Sequence, residues 1–196
     1  MYQTLQISPA LPIRLQEITN SSILGDYTKV VVCYDRPWWR ERGHNGFFMS
    51  FCGPVSSARD TSVDKDRNYA LTCFVNGQFG RDWNKLDAHA RRAAVIQQIA
   101  KVYDAGPESE AYRPIEVFEQ IWMQEEFSQG ALTPIHALGH YTGYTDVYGK
   151  PVGHLHFVGT EYAKEWKGYM EGALCSGEKG AADVVAALRP GAGAKL

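Results

Sequence analysis

The sequence predicts a mixed α/β fold of the α+β kind, built on a mainly antiparallel sheet. Short β-branched and aromatic runs follow one another with short connections, and two longer stretches have helical periodicity. The predicted order, β-β-β-α-β-loop-β-α, lacks the regular strand and helix alternation of a complete doubly wound domain.

Five segments have the composition of strands, and the first follows an extended start and a helical turn within residues 1–28. The strands are predicted at Lys29–Tyr34, Gly46–Phe51, Tyr69–Val75, Ile115–Trp122 and His154–Gly159. The polar stretch Ser56–Arg67 predicts a loop. Residues 128–153 are rich in Gly, Pro, Thr and Tyr, and a structured loop of about 25 residues is often functional.

Two helices are predicted between and after these strands. The first is capped by Asn84 or Asp87 and ends near Asp104–Pro107. Its apolar residues fall on one side, whereas Arg91, Arg92, Gln98 and Lys101 lie mostly elsewhere. The second runs from Gly168 to Leu188.

The composition places the chain among ordinary globular proteins. Its 196 residues carry a formal charge of −2, with 44% hydrophobic and 21% charged residues, which argues against disorder and coiled coil. No apolar run of about 18 residues predicts a membrane span. The near-zero charge gives no reason to expect nucleic acid. Without a signal peptide, the widely spaced cysteines are expected to be reduced thiols.

The last helix contains more glycine than helix stability favours. Glycine costs about 1 kcal/mol relative to alanine in a helix interior, yet Gly168, Gly172, Gly177 and Gly180 occur here. Close packing, or approach of a ligand to backbone N–H groups at the helix start, would explain them. A packed helix that tolerates its glycines is the other interpretation.

Three segments resemble the FAD-dependent amine oxidases of the monoamine oxidase group. They are HFVGTEYAKEWKGYMEGALCSGEKGAADVV from His156, KVVVCYDRPWW from Lys29, and IWMQEEFSQGA from Ile121. The resemblance runs over about residues 5–188 in the family's order and implies a partial two-domain flavin amine oxidase fold. Residues 1–127 would be part of the substrate-binding domain, 128–190 the FAD-contacting loop, strand and helix, and 191–196 a flexible tail.

The resemblance implies roles for individual residues. Lys29 resembles the lysine that holds a water against flavin N5 and aids the reaction with dioxygen, although by itself it would be a lysine at a strand edge. Trp122 resembles the tryptophan beside the flavin ring, and is otherwise an ordinary core aromatic. Tyr169 resembles one wall of the aromatic cage around the substrate amine. Positions that resemble further FAD contacts are Gly159, Thr160, Glu161, Gly168 and Met170.

The sequence departs from the family pattern in three places. Ala131 stands where some members have the cysteine that binds flavin, which implies non-covalent FAD. Leu132 stands where the second cage aromatic would be, which implies a bulkier or more aliphatic amine. No Gly-x-Gly-x-x-Gly motif is present, so the dinucleotide-binding half is expected to be missing. The chain alone is then expected to bind FAD weakly, with a complementary chain or a homo-oligomer as partner.

The function expected from the resemblance is oxidation of a small-molecule amine to an imine, with dioxygen reduced to hydrogen peroxide. The alternative is a truncated, inactive or repurposed relative that acts as a split subunit or in a biosynthetic pathway without its own flavin. His154 and His156 lack a third ligand at metal-like spacing, so no metal site is predicted. Ala194-Lys195-Leu196 resembles the Ser-Lys-Leu peroxisomal address, with a frayed terminus and a cytoplasmic location as the other interpretation.

Overall fold

The helices and strands are those of a computed structural model, which describes residues 5–189. The helices are α1 (Ile13–Ser21), α2 (Trp38–Glu41), α3 (Gly77–Trp83), α4 (Ala88–Val102), α5 (His140–Gly143) and α6 (Met170–Leu188). The strands are β1 (Ile23–Leu24), β2 (Thr28–Tyr34), β3 (Phe48–Met49), β4 (Val55–Asp60), β5 (Tyr69–Val75), β6 (Glu116–Ile121) and β7 (Pro134–Ile135). The predicted tail 191–196, with its targeting tripeptide, lies outside the described residues and stays a prediction.

The chain divides into two compact units. One runs from Asp26 to Ala131 and is called the sheet unit below. The other, called the helical unit, joins the residues before Asp26 to those from Leu132 onward.

The sheet unit contains a five-stranded sheet in the order β3-β4-β5-β2-β6. Every neighbouring pair is antiparallel, which confirms the sheet type predicted from the short connections. Side chains alternate between the two faces of a strand, and β2 shows this clearly. Its residues Thr28, Val30, Val32 and Tyr34 are buried, whereas the side chains between them face the opposite side.

Helix α4 and the aromatic corner after β2 complete the core on that buried face. The Asp87 carboxylate accepts the N–H of Ala90 at 2.9 Å and so caps α4. Trp38 and Trp39 are almost fully buried and join Val95 and Ile99 of α4 in one apolar cluster with the strands. The sheet unit therefore has one face covered by a helix and one face left more open.

Several local predictions for the sheet unit were wrong. The predicted loop Ser56–Arg67 begins inside β4, and the predicted strand Gly46–Phe51 is reduced to β3. A register shift lies between Val55 and Ser57, so Val55 and Ala58 are both buried at an odd spacing. That irregularity removes the period-2 pattern by which a strand is recognised in sequence. Helix α3 was not predicted.

The helical unit contains α1, α5, α6 and a small antiparallel sheet in which Ile23 pairs with Ile135. The long last helix was predicted correctly, and it begins at Met170. The predicted buried strand His154–Gly159 was wrong, because only an isolated bridge between Val152 and Leu155 forms there. Among residues 5–189 no strand of either sheet pairs with this segment. Nor is any helix of these residues long and apolar enough to cross a membrane.

Candidate functional site

Lys29 lies on the more open face of the five-stranded sheet. It is the second residue of β2, where it pairs with Phe74 of β5 on one side and Gln120 of β6 on the other. Its ammonium nitrogen is 5.9 Å from the centre of the Phe74 ring, within the range of a cation–π contact. Lys29 is exposed, so its ammonium group is available to a ligand above this face.

Trp122 and Ala131 lie at the same end of the sheet as Lys29. Trp122 directly follows Ile121, the β6 residue that pairs with Thr28, and 37% of its surface is exposed. Ala131 forms a parallel bridge with Asp26, two residues before β2. The Asp26 carboxylate accepts the N–H of Gly77 at 3.2 Å and forms an ion pair with Arg81. These two contacts fix the position of Asp26 before β2. The sheet unit therefore brings Lys29, Trp122 and Ala131 to one end of one sheet.

The other predicted site residues gather at the start of α6, in the helical unit. The segment Trp166–Tyr169, called the α6 turn below, leads into this helix. The Thr160 hydroxyl accepts the N–H of Gly168 at 2.6 Å and donates to the carbonyl oxygen of Tyr169 at 2.9 Å. Gly159 also contacts α6, since its N–H donates to the Ser176 hydroxyl at 3.1 Å. Thr160 thus ties the predicted FAD-contacting segment to the turn that carries Tyr169.

Replacing Thr160 by valine should lower the stability of the helical unit by about 1–3 kcal/mol, because it removes two hydrogen bonds of about 0.5–1.5 kcal/mol each. Thr160→Ser keeps the hydroxyl and should cost far less. Amide hydrogen exchange at Gly168 reports the effect directly, because this N–H donates to the Thr160 hydroxyl and loses its acceptor in the valine variant. Equal exchange in the valine and serine variants would contradict the role given to the hydroxyl.

The start of α6 is open to an electronegative group. Tyr169 is the N-cap residue, and its side chain makes no capping hydrogen bond. The N–H groups of a first helical turn have no partners within the helix, and the helix dipole is positive at this end. Tyr169 and Met170 are 67% and 88% exposed. A side chain at Gly168, where φ is +87°, would meet nothing within 4 Å. The first turn of α6 is therefore accessible to a ligand from solvent.

Two glycines of α6 are explained by packing. A Cβ atom at Gly172 would lie 2.3 Å from the carbonyl oxygen of Trp166, and one at Gly180 would lie 2.3 Å from a methyl of Val158. A Cβ atom at Gly177 would meet nothing within 4 Å. Close packing therefore accounts for Gly172 and Gly180 but not for Gly177.

The remaining predicted residues lie within the helical unit. Glu161 follows Thr160 in a short 3-10 turn, and its carboxylate would be 2.9 Å from a Cβ atom at Gly159. Leu132 is 72% exposed. Over residues 5–189 no group of three or more metal-binding side chains comes together, and none therefore includes His154 or His156.

A cleft of about 600 Å³ lies beside α6 and was not predicted. Tyr148, Phe157 and Tyr162 are among its lining residues, together with Glu161 and Lys167. Its lining residues all lie between Tyr148 and Asp183, and they come together only when the segment before α6 folds against that helix.

Most of the chain is similar to a known family. The family model for flavin containing amine oxidoreductase matches residues 2–185. A probable flavin-containing monoamine oxidase A from Dictyostelium discoideum is 33% identical over 173 residues, a match that covers 88% of this chain and 37% of that protein.

Solved structures confirm the predicted mixed fold. Putrescine oxidase bound to putrescine has a TM-score of 0.83 at 29% identity, over 94% of this chain and 40% of that one. Cyclohexylamine oxidase from Brevibacterium oxydans IH-35A has a TM-score of 0.84 at 28% identity, over 95% and 41% of the two chains. The chain therefore spans about two fifths of the length of these proteins.

Proposed function

Since this chain belongs to the flavin-containing amine oxidoreductase family, we propose that it supplies the substrate-side and C-terminal parts of an amine oxidase. The reaction converts an amine and dioxygen to an imine and hydrogen peroxide, and water then hydrolyses the imine to a carbonyl compound and a free amine. The observation that carries the proposal is the pair of clusters described above, one around Lys29 and one at the start of α6. Both consist of residues for which the family resemblance of the sequence implies a role in the site.

The flavin, when bound, supplies the hydride acceptor and passes the electrons to dioxygen. The family resemblance implies that Trp122 in the sheet unit and, separately, the first turn of α6 in the helical unit would each contact it. The contact would be non-covalent, because Ala131 has no nucleophilic side chain. Lys29 would hold a water molecule and place a positive charge where dioxygen gains negative charge. Tyr169 would present its exposed ring to the amine.

An aliphatic or cycloaliphatic amine is the substrate class we favour. Leu132 replaces the second aromatic wall, so the site would be apolar on one side and aromatic only at Tyr169. The similar solved structures include enzymes named for putrescine and cyclohexylamine. This substrate class is consistent with both observations.

The exposed surface of α6 supports a second polypeptide segment in the active protein. Gly172 and Ser176 are its buried residues, whereas Met170, Leu174 and Leu188 are 88%, 64% and 76% exposed. A helix this apolar and this exposed is typical of an interaction surface. A segment with a Gly-x-Gly-x-x-Gly motif, from the same or another chain, would cover it and hold the FAD pyrophosphate.

The test begins with the 196-residue chain alone and FAD. We expect weak flavin binding, measured by visible absorbance after gel filtration, and release of any bound flavin on denaturation.

In a second experiment, the chain is co-expressed with the part of the Dictyostelium discoideum relative that it does not match. Peroxide formation is then followed with cyclohexylamine, putrescine and phenylethylamine. A flavin-loaded complex that oxidises none of a broad amine panel would contradict the proposal.

Lys29→Met should slow dioxygen consumption in the flavin-loaded complex by about 100-fold or more, because removing a positioned group that stabilises developing negative charge typically costs roughly 10²–10³ in rate. Anaerobic bleaching by the amine should change by less than about threefold, since Lys29 acts after the amine is oxidised. Lys29→Arg keeps the charge and serves as the control. An unaltered oxygen reaction in Lys29→Met would refute the role of Lys29.

A further inference from the structure

The side chain of Lys167 lies in a group of aromatic rings within the helical unit. Its ammonium nitrogen is 4.4 Å from the centre of the Tyr141 ring and 5.6 Å from that of Tyr148. The two tyrosine rings meet edge to face, with their centres 5.6 Å apart. His136 packs edge to face against both, at 4.7 Å and 5.5 Å. These four residues are called the lysine clasp below.

The electrostatics of the clasp favour a cation at Lys167. Aromatic faces carry negative charge density and attract an ammonium group. The pKa of His136 lies below its ordinary value, first because the ring is partly buried and then because of the nearby positive charges of Lys167 and His140. A neutral imidazole does not repel the ammonium group. The Nδ1 atom of His136 is also 2.6 Å from the Ser22 hydroxyl, which fixes the ring.

Lys167 is itself part of the α6 turn. It lies between Trp166, with φ +55°, and Gly168, with φ +87°. A non-glycine residue such as Trp166 pays a conformational cost for a positive φ and keeps it only where the surroundings enforce it. The Thr160 hydroxyl holds the end of the turn at Gly168 and Tyr169. The clasp holds the middle of the turn at Lys167, the residue between Trp166 and Gly168.

We infer that Lys167 is a positioning residue for Tyr169. By placing its ammonium group between Tyr141 and Tyr148, it fixes the α6 turn and so the direction in which the Tyr169 ring enters the site. The functional part of this inference rests on the proposed role of Tyr169 toward the amine. The clasp itself is a property of the flavin-free chain.

The clasp is tested by NMR on the full flavin-free chain. Ring currents should move the Lys167 ε-methylene protons upfield in the wild type and in Tyr141→Phe, which keeps the ring. Tyr141→Leu should abolish most of this shift. In Lys167→Met, amide exchange at Gly168 and Tyr169 should be about two- to tenfold faster, given the usual strength of a cation–π contact. Lys167→Arg should restore most of the protection, because it keeps the charge.

Some results would overturn the clasp whatever the enzyme does. One is a Lys167 methylene shift that is the same in Tyr141→Leu and Tyr141→Phe. Another is amide exchange at Gly168 and Tyr169 that is no faster in Lys167→Met than in Lys167→Arg.

In the flavin-loaded complex, Lys167→Met should raise the KM for the amine more than it lowers kcat. If only this kinetic result failed and the NMR results held, the clasp would stand but Lys167 would not be a positioning residue for Tyr169.

Discussion

Replacing Gln98 by leucine is expected to lower the free energy of unfolding by about 2–5 kcal/mol, because each buried polar group left without a partner costs roughly 1–3 kcal/mol. Gln98 is 8% exposed, on the side of α4 that meets the sheet. Its Oε1 accepts the N–H of Val55 at 2.8 Å, and its Nε2 donates to the carbonyl oxygens of Val55 and Cys52, each at 2.8 Å. The leucine variant would satisfy none of these backbone groups.

The neighbouring Gln97 is exposed and provides a matched control. Gln97→Leu makes the same chemical change on the same helix and should alter stability by less than about 0.5 kcal/mol. Urea unfolding followed by tryptophan fluorescence is suited to the comparison, since Trp38, Trp39 and Trp83 are buried in this unit. Similar midpoints for the two variants would show that the three hydrogen bonds contribute little.

Gln98 also shows where sequence periodicity stops being informative. A helical pattern assigns it to the polar side of α4, because periodicity reports the chemical type of a side chain and not its partners. The partners of Gln98 are backbone atoms beside the irregularity at Val55 to Ser57, which the sequence does not signal. Strands β2 and β5 and helices α4 and α6 were predicted well, because each has a local apolar pattern of adequate length.

The candidate site was predictable to a different degree in its two parts. Lys29 could be placed at the edge of a strand from composition, but the apolar run Val30–Tyr34 has no alternation that would assign Lys29 to the more open face. Lys167 could not be assigned a partner, because Tyr141 and Tyr148 lie 26 and 19 residues before it and meet it only in the folded chain. The segment His154–Gly159 has a strand-like composition, but a strand also needs a neighbour for its backbone hydrogen bonds. Composition alone does not supply that information.

The glycines of α6 lead to the second large effect, in which one substitution has opposite signs at two positions. Gly172→Ala should lower stability by about 1–3 kcal/mol, the usual cost of overpacking. The added methyl would lie 2.3 Å from the Trp166 carbonyl oxygen and 2.9 Å from the Thr160 hydroxyl. Gly177→Ala has open space and should raise stability by about 1 kcal/mol, the difference in helix propensity.

Comparing Gly172→Ala with Gly177→Ala distinguishes close packing from approach of a ligand to the backbone as the reason for the glycines of α6. If packing against the α6 turn requires Gly172, its alanine variant should speed amide exchange at Tyr169, whereas Gly177→Ala should slow exchange along the helix. Thermal unfolding by circular dichroism gives the signs independently. If Gly172→Ala instead stabilised α6 as much as Gly177→Ala, the turn would have room for a methyl group. Packing would then not explain Gly172, and backbone approach by the flavin would become the stronger reason for a glycine at this position.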